Sequence, residues 1–290
     1  MIFGVTYQAL AAQLTVGLIS GLMYAALSLG LSIIFGLLHI INFAHGTFFM
    51  LGGLATWAGL HYFGLSFWPM LLIAPLLVGL FGVLLERLFI RRVYGKDYLY
   101  GLMLTLGFTL VIEGVVRAFY GVSGNAYGSP PIRGVVDLGF MILPAYRAWM
   151  IVLLGGLIVG AWAIVERTRI GSYLRAAKED RATLEALGVD AKWLFSGAFL
   201  LGVALAAAVG VIATPVIQIG ALTGESFLII AFATVVIGGM GSLAGTIVVG
   251  IGLGLIQGLT KTFYPEAAEV VVFVVMMLVL LLLPRGLFGE

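Results

Sequence analysis

The sequence predicts an all-α fold: a polytopic bundle of transmembrane helices with broken or re-entrant segments and one helix at the cytoplasmic surface. Of its 290 residues, 62% are hydrophobic and only 10% are charged, whereas soluble domains carry about 25% charged residues. The mean hydropathy is +1.18. Several apolar runs reach the roughly 20 residues that a helix needs to cross a bilayer, and they predict about eight spans. We therefore expect a single membrane domain over residues 1–290, without a soluble appendage.

Taken in order, the apolar runs are 10–37, 47–64, 67–90, 98–120, 148–165, 193–213, 227–240, 243–260 and 267–284. The 227–260 region forms either two spans or two short broken helices. No Lys or Arg precedes the first run, so we expect a retained first span instead of a cleaved signal peptide. The 41 glycines, about twice the usual frequency, indicate close helix contacts.

Ten of the fifteen Lys and Arg residues fall in two segments, around 87–96 and in 167–192. By the positive-inside rule, both segments lie in the cytoplasm. The loop 121–147 between the two intervening spans is then outside, and its glycines and paired prolines favour turns or a short hairpin. Counting the spans back from the first of these segments places the N-terminus outside.

Two polar or glycine-rich interruptions, His39–Gly53 and Thr214–Gly245, follow spans at matching places in the two halves of the chain. Interrupted helices at matched positions indicate a transport pathway. In the first, Asn42 and His45 either line that pathway, where amide and imidazole suit a zwitterion, or form interhelical hydrogen bonds. In the second, Glu225 either contacts substrate or, as we favour, sits at the start of a helix, where its charge suits the dipole.

Glu113 and Arg117 stand four residues apart in one span, which predicts a local ion pair in preference to a functional intramembrane charge. Gly250, Gly254 and Gly258 keep a four-residue spacing typical of packed membrane helices. Gly17 with Gly21, and Gly156 with Gly160, repeat this spacing, so we expect packing faces there too.

The charged segment 167–192 predicts a short helix at the membrane surface, with Ser172 as its N-cap and Gly188 as the glycine that ends it. Such a helix suits docking to a soluble partner. The chain has no P-loop, G-x-S-x-G or H-E-x-x-H motif, so it is not expected to be an enzyme. It has no cysteine and no histidine cluster with ligand spacing, so we predict no metal site. Its net charge is +2 and it has no basic patch, which argues against binding to nucleic acid.

Five stretches of the chain now become recognisable: GLSIIFGLLHIINFAHGTFFMLGG, ERLFIRRVY, RAAKEDRATLEALGV, VVIGGMGSLAGTIVVG and the closing LLLPRGLFG. Together they resemble the LivH-type permeases of branched-chain amino acid ABC importers, over nearly the whole chain and in order. The resemblance implies a multi-pass protein of a bacterial-type cytoplasmic (inner) membrane, surrounded by lipid. Its expected partners are a second permease of the LivM type or a copy of itself, two ABC ATPase subunits, and an extracytoplasmic substrate-binding protein.

The resemblance also implies that the segment 175–188 is the coupling helix, which inserts into the ATPase and transmits its closure. One feature differs: an E-A-A-x-x-x-G spacing from Gly188 falls on Ala182, Thr183 and Leu184, without the acidic residue. The residues expected to couple to the ATPase are Arg175, Ala176, Ala177, Asp180, Ala182, Glu185 and Gly188. ATP and Mg²⁺ are expected on the partner ATPase, with no cofactor in this chain.

Under this hypothesis the chain forms the path for branched-chain amino acids and works by ATP-driven alternating access. Alternative substrates for the same fold are urea, short amides and aromatic or other carboxylates. A different class, the stand-alone channel or secondary transporter, would need an intramembrane carboxylate, for which Glu113 is the candidate. An intramembrane enzyme finds no catalytic set in the sequence.

Overall fold

The computed structural model describes residues 6–38 and 40–289, except for the side chains of Lys178 and residues 181–183. Within these residues the chain forms α-helices joined by turns and by one long loop that contains a two-stranded sheet. The helices are α1 (Tyr7–Leu38), α2 (His45–Phe63), α3 (Phe67–Leu88), α4 (Tyr98–Tyr120), α5 (Ala145–Arg167), α6 (Arg169–Glu179), α7 (Arg181–Ala186), α8 (Ala191–Ala213), α9 (Thr223–Gly238), α10 (Leu243–Phe263) and α11 (Val270–Leu282).

Six of the described helices, α1, α3, α4, α5, α8 and α10, are long and apolar enough to cross a membrane. The apolar helices α9 and α11 are shorter, and α2 has 19 residues. The structure thus confirms the predicted helical bundle. The predicted number of about eight spans is approximate. The 227–260 region resolves into a short α9 and a long α10, because the turn at 239–242 places Gly239 and Gly241 at positive φ.

Two helices form the centre of the bundle. In the most apolar window of α1 and of α8, 83% and 78% of the residues are buried, against 28% in α4 and in α5. The exposed faces of α4 and α5 are apolar, with outward Leu110, Val152 and Val159. A face of that composition needs lipid or another protein surface against it.

Glycines allow α1 and α10 to cross at backbone contact. A Cβ on Gly17 would lie 2.6 Å from the carbonyl oxygen of Gly254, and a Cβ on Gly254 would overlap the backbone of Gly21. Gly258 approaches Gly17, and Gly250 approaches Ala25 in the same way. The α10 glycines therefore lie against α1, and the backbones of the two helices are close enough for van der Waals contact along the crossing.

The other predicted glycine face has no such neighbour. No atom of the described residues lies within 4 Å of a Cβ placed on Gly156 or Gly160, and both glycines line an open apolar groove between α3, α5 and α8. The packing face expected at Gly156 and Gly160 is therefore not covered by another described helix of this chain. Spacing alone reports which residues share a helix face, and it does not report whether another helix covers that face.

The loop 121–147 contains the predicted hairpin. Strands β1 (Val135–Asp137) and β2 (Ile142–Pro144) pair antiparallel. A second contact ties the loop to the core, because Asn125 and Ile219 exchange backbone hydrogen bonds of 2.8 and 3.1 Å. The loop is thereby fixed to the segment that leads into α9.

Candidate functional site

The charged segment 167–192 is a pair of short helices instead of the single helix that we expected. The chain bends at Thr168, begins α6, breaks at Asp180 and continues as α7. The N-cap of α6 is Thr168, whose side chain accepts a hydrogen bond from the backbone N–H of Gly171. Ser172 lies inside α6, so its prediction as the N-cap is wrong. The helix starts earlier because α5 and α6 meet at a tight corner, where Gly171 packs against the carbonyl group of Val165.

The end of this segment is as the sequence predicts. Gly188 adopts φ +85°, the N–H of Gly188 donates to the carbonyl of Glu185 at 3.0 Å, and that of Val189 donates to Leu184 at 3.3 Å. This pair of bonds is the Schellman motif, and its usual hydrophobic contact is present because Val189 packs on the apolar cluster that contains Leu184. Two carbonyl groups at the end of α7, those of Leu184 and Glu185, are therefore satisfied within the chain.

One face of the α6–α7 segment packs on the bundle. Leu174, Ala177 and Leu184 are buried against residues of α1, α5 and α8. Ala177 was expected to contact a partner, but it faces the bundle and is only 8% exposed. The side chain of Ala182 lies outside the described residues.

The opposite face of the segment is exposed to solvent. It includes four of the predicted residues, Arg175, Ala176, Asp180 and Glu185, together with the backbone of Gly188. Three large apolar side chains of the α6–α7 segment, which the sequence reasoning missed, are exposed as well, and one of them is Ile170 at 56%. Tyr173 is 42% exposed and Leu187 is 76% exposed. An exposed leucine beside a helix end, outside the spans, was the signal available in the sequence.

Arg175 holds α6 to the end of α5. Its Nη1 donates to the carbonyl oxygen of Val165 at 2.7 Å and to Oε2 of Glu166 at 3.3 Å. The ion pair is about half exposed, so we assign the orientation of α6 mainly to the backbone contact, since exposed ion pairs contribute little.

A buried polar cluster beside this segment escaped the sequence reasoning altogether. Glu86, in the last turn of α3, is fully buried and accepts hydrogen bonds from Arg91, Tyr94 and Ser196. Arg91 also donates to Ser196 Oγ at 2.7 Å. Its weaker 3.4 Å contact with the carbonyl of Lys192 reaches the start of α8. The cluster therefore joins α3 to α8 where the chain leaves the α6–α7 segment. A lone Glu closing an apolar run, five residues before an Arg, was the available signal.

The first interrupted region places Asn42 and His45 in the interior of the chain. Asn42 Oδ1 accepts from the N–H of Ala44 at 3.1 Å, and His45 Nε2 lies 2.9 Å from the carbonyl oxygen of Leu27. A carbonyl only accepts, so Nε2 carries the proton. In the described residues, Asn42 Nδ2 and His45 Nδ1 have no hydrogen-bond partner. Asn42 thus makes one local bond, while His45 makes an interhelical bond to α1, and each side chain keeps one polar atom unused.

The two interrupted regions meet at the N-termini of α2 and α9. A Cβ on Gly46 or on Gly224 would overlap the carbonyl oxygen of the other glycine, and the rings of Phe49 and Phe227 lie 4.5 Å apart. Helix N-termini carry partial positive charge. In membrane transporters, such ends of broken helices face anionic groups of the substrate. The two regions that the sequence matched are brought together here.

A polar stripe of α4 runs alongside the first interruption. Thr105 Oγ1 accepts from the N–H of Phe43 at 3.1 Å, and its hydrogen lies between the carbonyls of Gly101 at 2.9 Å and Ile41 at 3.1 Å. One turn further, the Oγ1 atoms of Thr47 and Thr109 lie 3.3 Å apart. The Thr105 bonds satisfy backbone groups that the helix break would leave unpaired.

Glu113 continues this stripe and lacks the expected ion pair. No salt bridge among the described residues includes Glu113, so the predicted pair with Arg117 is not formed. Glu113 Oε1 is buried and accepts no hydrogen bond in the described part of the chain, although its charge interacts with those of Glu225 and Arg117. Glu225 lies exposed in the first turn of α9 and provides no capping hydrogen bond.

These features define a multi-pass membrane protein with two interrupted regions that meet in its interior and a charged helical segment outside its spans. A family model described as "Branched-chain amino acid transport system / permease component" matches residues 13–281. The chain belongs to this family, which confirms the resemblance seen in the sequence. It is a transport component.

Individual relatives support the same family assignment. The chain is 28% identical over 300 residues to the high-affinity branched-chain amino acid transport system permease protein BraD of Pseudomonas aeruginosa, covering 96% of this chain and 95% of BraD. LivH of Escherichia coli K12, with the same description, shows the same identity and coverage. Among solved structures, the fold is similar to a chain of PsaBC from Streptococcus pneumoniae in complex with Fab. The TM-score is 0.50 at 13% identity, with 92% of this chain and 89% of that chain covered.

Proposed function

We propose that this chain is the membrane-spanning permease subunit of an ABC importer for branched-chain amino acids. The observation that carries the proposal is the α6–α7 segment. Its apolar face is anchored on α1, α5 and α8, while Tyr173 and Leu187 remain exposed beside the charged face. An exposed apolar pair within a charged surface is typical of the centre of a protein–protein contact.

In this proposal α6 and α7 dock in a groove of an ABC ATPase, with Arg175, Ala176, Asp180 and Glu185 around Tyr173 and Leu187. ATP and Mg²⁺ bind to the two ATPase subunits, and this chain performs no bond chemistry. The segment lies in the cytoplasm, as the positive-inside rule predicts, and the membrane is the bacterial inner membrane. Closure of the ATPases moves α6, and the Arg175 contacts pass that movement to α5.

The whole chain acts as one permease domain that pairs with a second permease of the LivM type. Two features are consistent with a partner or lipid at this surface. They are the exposed apolar faces of α4 and α5 and the open groove at Gly156 and Gly160. The path runs past Asn42 and His45, near the crossing of α2 and α9, with Glu225 at its side. A soluble extracytoplasmic protein delivers the amino acid, and nucleic acid has no role.

The test is co-purification of the ATPase with the permease from detergent, together with ATP-driven leucine uptake by the reconstituted complex. We expect Leu187→Glu to lose both, because it places a charge at the centre of the contact. Val135→Glu is the matched control, since Val135 is similarly exposed on the hairpin of loop 121–147, away from α6. Leucine uptake by this chain alone, without ATP, would contradict the proposal and favour a secondary transporter. Competition by urea, short amides and aromatic carboxylates, compared with isoleucine and valine, tests the substrate class.

A further inference from the structure

A cavity of about 310 Å³ lies between α1, the corner of α5 and α6, and the turn that joins α9 to α10. Ile33, Leu37 and Leu174 give it an apolar wall. Its volume is at the lower end of the range of about 300–1,000 Å³ for small-molecule sites. Neither Asn42 nor His45 lines it, so it is separate from the path described above.

One end of the cavity offers hydrogen-bond donors that have no acceptor. Ser32 is 1% exposed, and its hydroxyl group has no partner among the described residues. Next to it the cavity touches the first residues of α10, Leu243 and Ala244, whose N–H groups likewise have no acceptor in the described hydrogen bonds. The side chain of the N-cap Ser242 accepts from the N–H of Gly245, at 3.2 Å, and not from these two N–H groups.

A glycine-rich turn entering a helix N-terminus is a favourable place for an anion, because unpaired N–H groups and the helix dipole both attract it. Here the turn is GGMGSLAG, residues 238–245, and α10 is a helix of 21 residues. The Ser32 hydroxyl is an independent donor from another helix. Arg175 also lies at the rim, where its charge is paired with that of Glu166 at 3.3 Å.

The rim also carries a negative group. Glu166 lines the cavity, and its side chain is 40% exposed beside Arg175. The cavity thus combines donors for a carboxylate, an acceptor for an ammonium group and an apolar wall. This combination matches the parts of a small apolar α-amino acid.

We propose that this cavity is a second binding site, which takes a small apolar α-amino acid on the side of the membrane where α6 lies. The carboxylate of the ligand binds Ser32 Oγ and the N-terminus of α10, its ammonium group binds Glu166, and its side chain contacts the Ile33–Leu37–Leu174 wall. The proposal rests on the proposed function, which makes the ligand the imported product. An occupied cavity bridges α6, α1 and α10, and so restrains α6 and slows ATP-driven transport.

The experiment uses the complete transporter in proteoliposomes, selected so that the ATPases face outwards. The binding protein and saturating leucine are enclosed inside, and ATP hydrolysis is measured while leucine is added outside. We expect saturable inhibition by the added leucine. Ser32→Ala should raise the inhibitory concentration about tenfold, the effect of removing one hydrogen bond to a charged group.

Ser28→Ala is the matched control. Ser28 is also buried on α1 with an unpartnered hydroxyl group, but it does not line the cavity, so the inhibitory concentration should stay unchanged. Isopentylamine, which lacks the carboxylate, should not inhibit. An unchanged inhibitory concentration in Ser32→Ala, or no inhibition of the parent transporter, would overturn the site.

A second measurement needs no variant. In the same transporter, leucine on the ATPase side should slow backbone hydrogen exchange at residues 243–244, and no slowing there would count against the site. ATP-driven uptake of leucine tests the proposed function separately. That uptake is expected to continue in Ser32→Ala. Loss of uptake would contradict the proposed function, whereas unchanged inhibition by leucine would contradict the second site.

Discussion

The hydroxyl group of Ser196 in α8 donates a hydrogen bond of 2.6 Å to Oε2 of Glu86 in α3, across 110 residues of sequence. Arg91 donates to both residues. A buried ion pair adds stability only when its remaining hydrogen-bonding positions are filled, and here Tyr94 and Ser196 fill them. The cluster fixes the end of α3 and the start of α8 relative to each other, next to the proposed coupling segment.

Removing the Ser196 hydroxyl group should destabilise this junction. We expect Ser196→Ala to lower the free energy of unfolding by about 1–3 kcal/mol, because the buried carboxylate of Glu86 loses one charge-assisted bond. Thermal denaturation in detergent measures the change. Ser172→Ala is the control, since Ser172 is exposed on α6 and should have little effect. Equal small effects of both variants would show that the junction is not stabilised by this bond.

The crossing of α1 and α10 predicts an asymmetry between neighbouring residues of α10. Gly254→Leu should prevent assembly, because even a Cβ at this position overlaps the backbone of Gly21. Leu253→Ala leaves a cavity, with a cost of about 2–5 kcal/mol, and should still give folded protein. The yield of monodisperse protein by size-exclusion chromatography compares the two. Gly252→Leu is the control, because no neighbouring helix of the described residues comes within 4 Å of its Cβ position. A yield of Gly254→Leu equal to that of Gly252→Leu would contradict the crossing.

The contact of Gly46 with Gly224 predicts a functional effect of a single methyl group. Gly46→Ala should separate the N-termini of α2 and α9 and reduce leucine uptake strongly, while the protein still reaches the membrane. Gly114→Ala, on α4 with open space around it, should transport normally. Uptake by the reconstituted complex, normalised to the amount of permease, is the measurement. Normal uptake by Gly46→Ala would mean that the close approach of these helix ends is not needed for transport.

The positive φ of Gly188 predicts a local change at the end of α7. Gly188→Ala should cost about 1–2 kcal/mol, since an L-residue is strained in this conformation, and should loosen the Schellman turn. Faster hydrogen exchange at the N–H groups of residues 188 and 189 would report it. Gly197→Ala in α8, where the Cβ position is open, is expected to leave that exchange unchanged. If both variants exchange alike, the turn does not depend on glycine.

Some of the features behind these predictions follow from the local sequence, and others follow from contacts between helices. Helix lengths, the end of α7 at Gly188 and the hairpin in 121–147 follow from apolar runs, backbone preferences and turn residues that act within a few positions of the chain. The N-cap was misplaced at Ser172 because Thr168 competes for the same role, and the corner between α5 and α6 decides between them. The candidate site was therefore predictable as a segment, but the exposed and buried sides of that segment were not.

The sequence by itself determined that this is a helical membrane protein, which segments leave the apolar runs, and which family it belongs to, because composition and local pattern carry that information. Tertiary structure decided which polar groups meet. It gave Glu86 its partners in α8, left Glu113 without the local partner that spacing suggested, and covered Gly254 while leaving Gly156 open. The physical reason is that such pairings depend on the rotation and crossing of whole helices, which residues far apart in sequence set together.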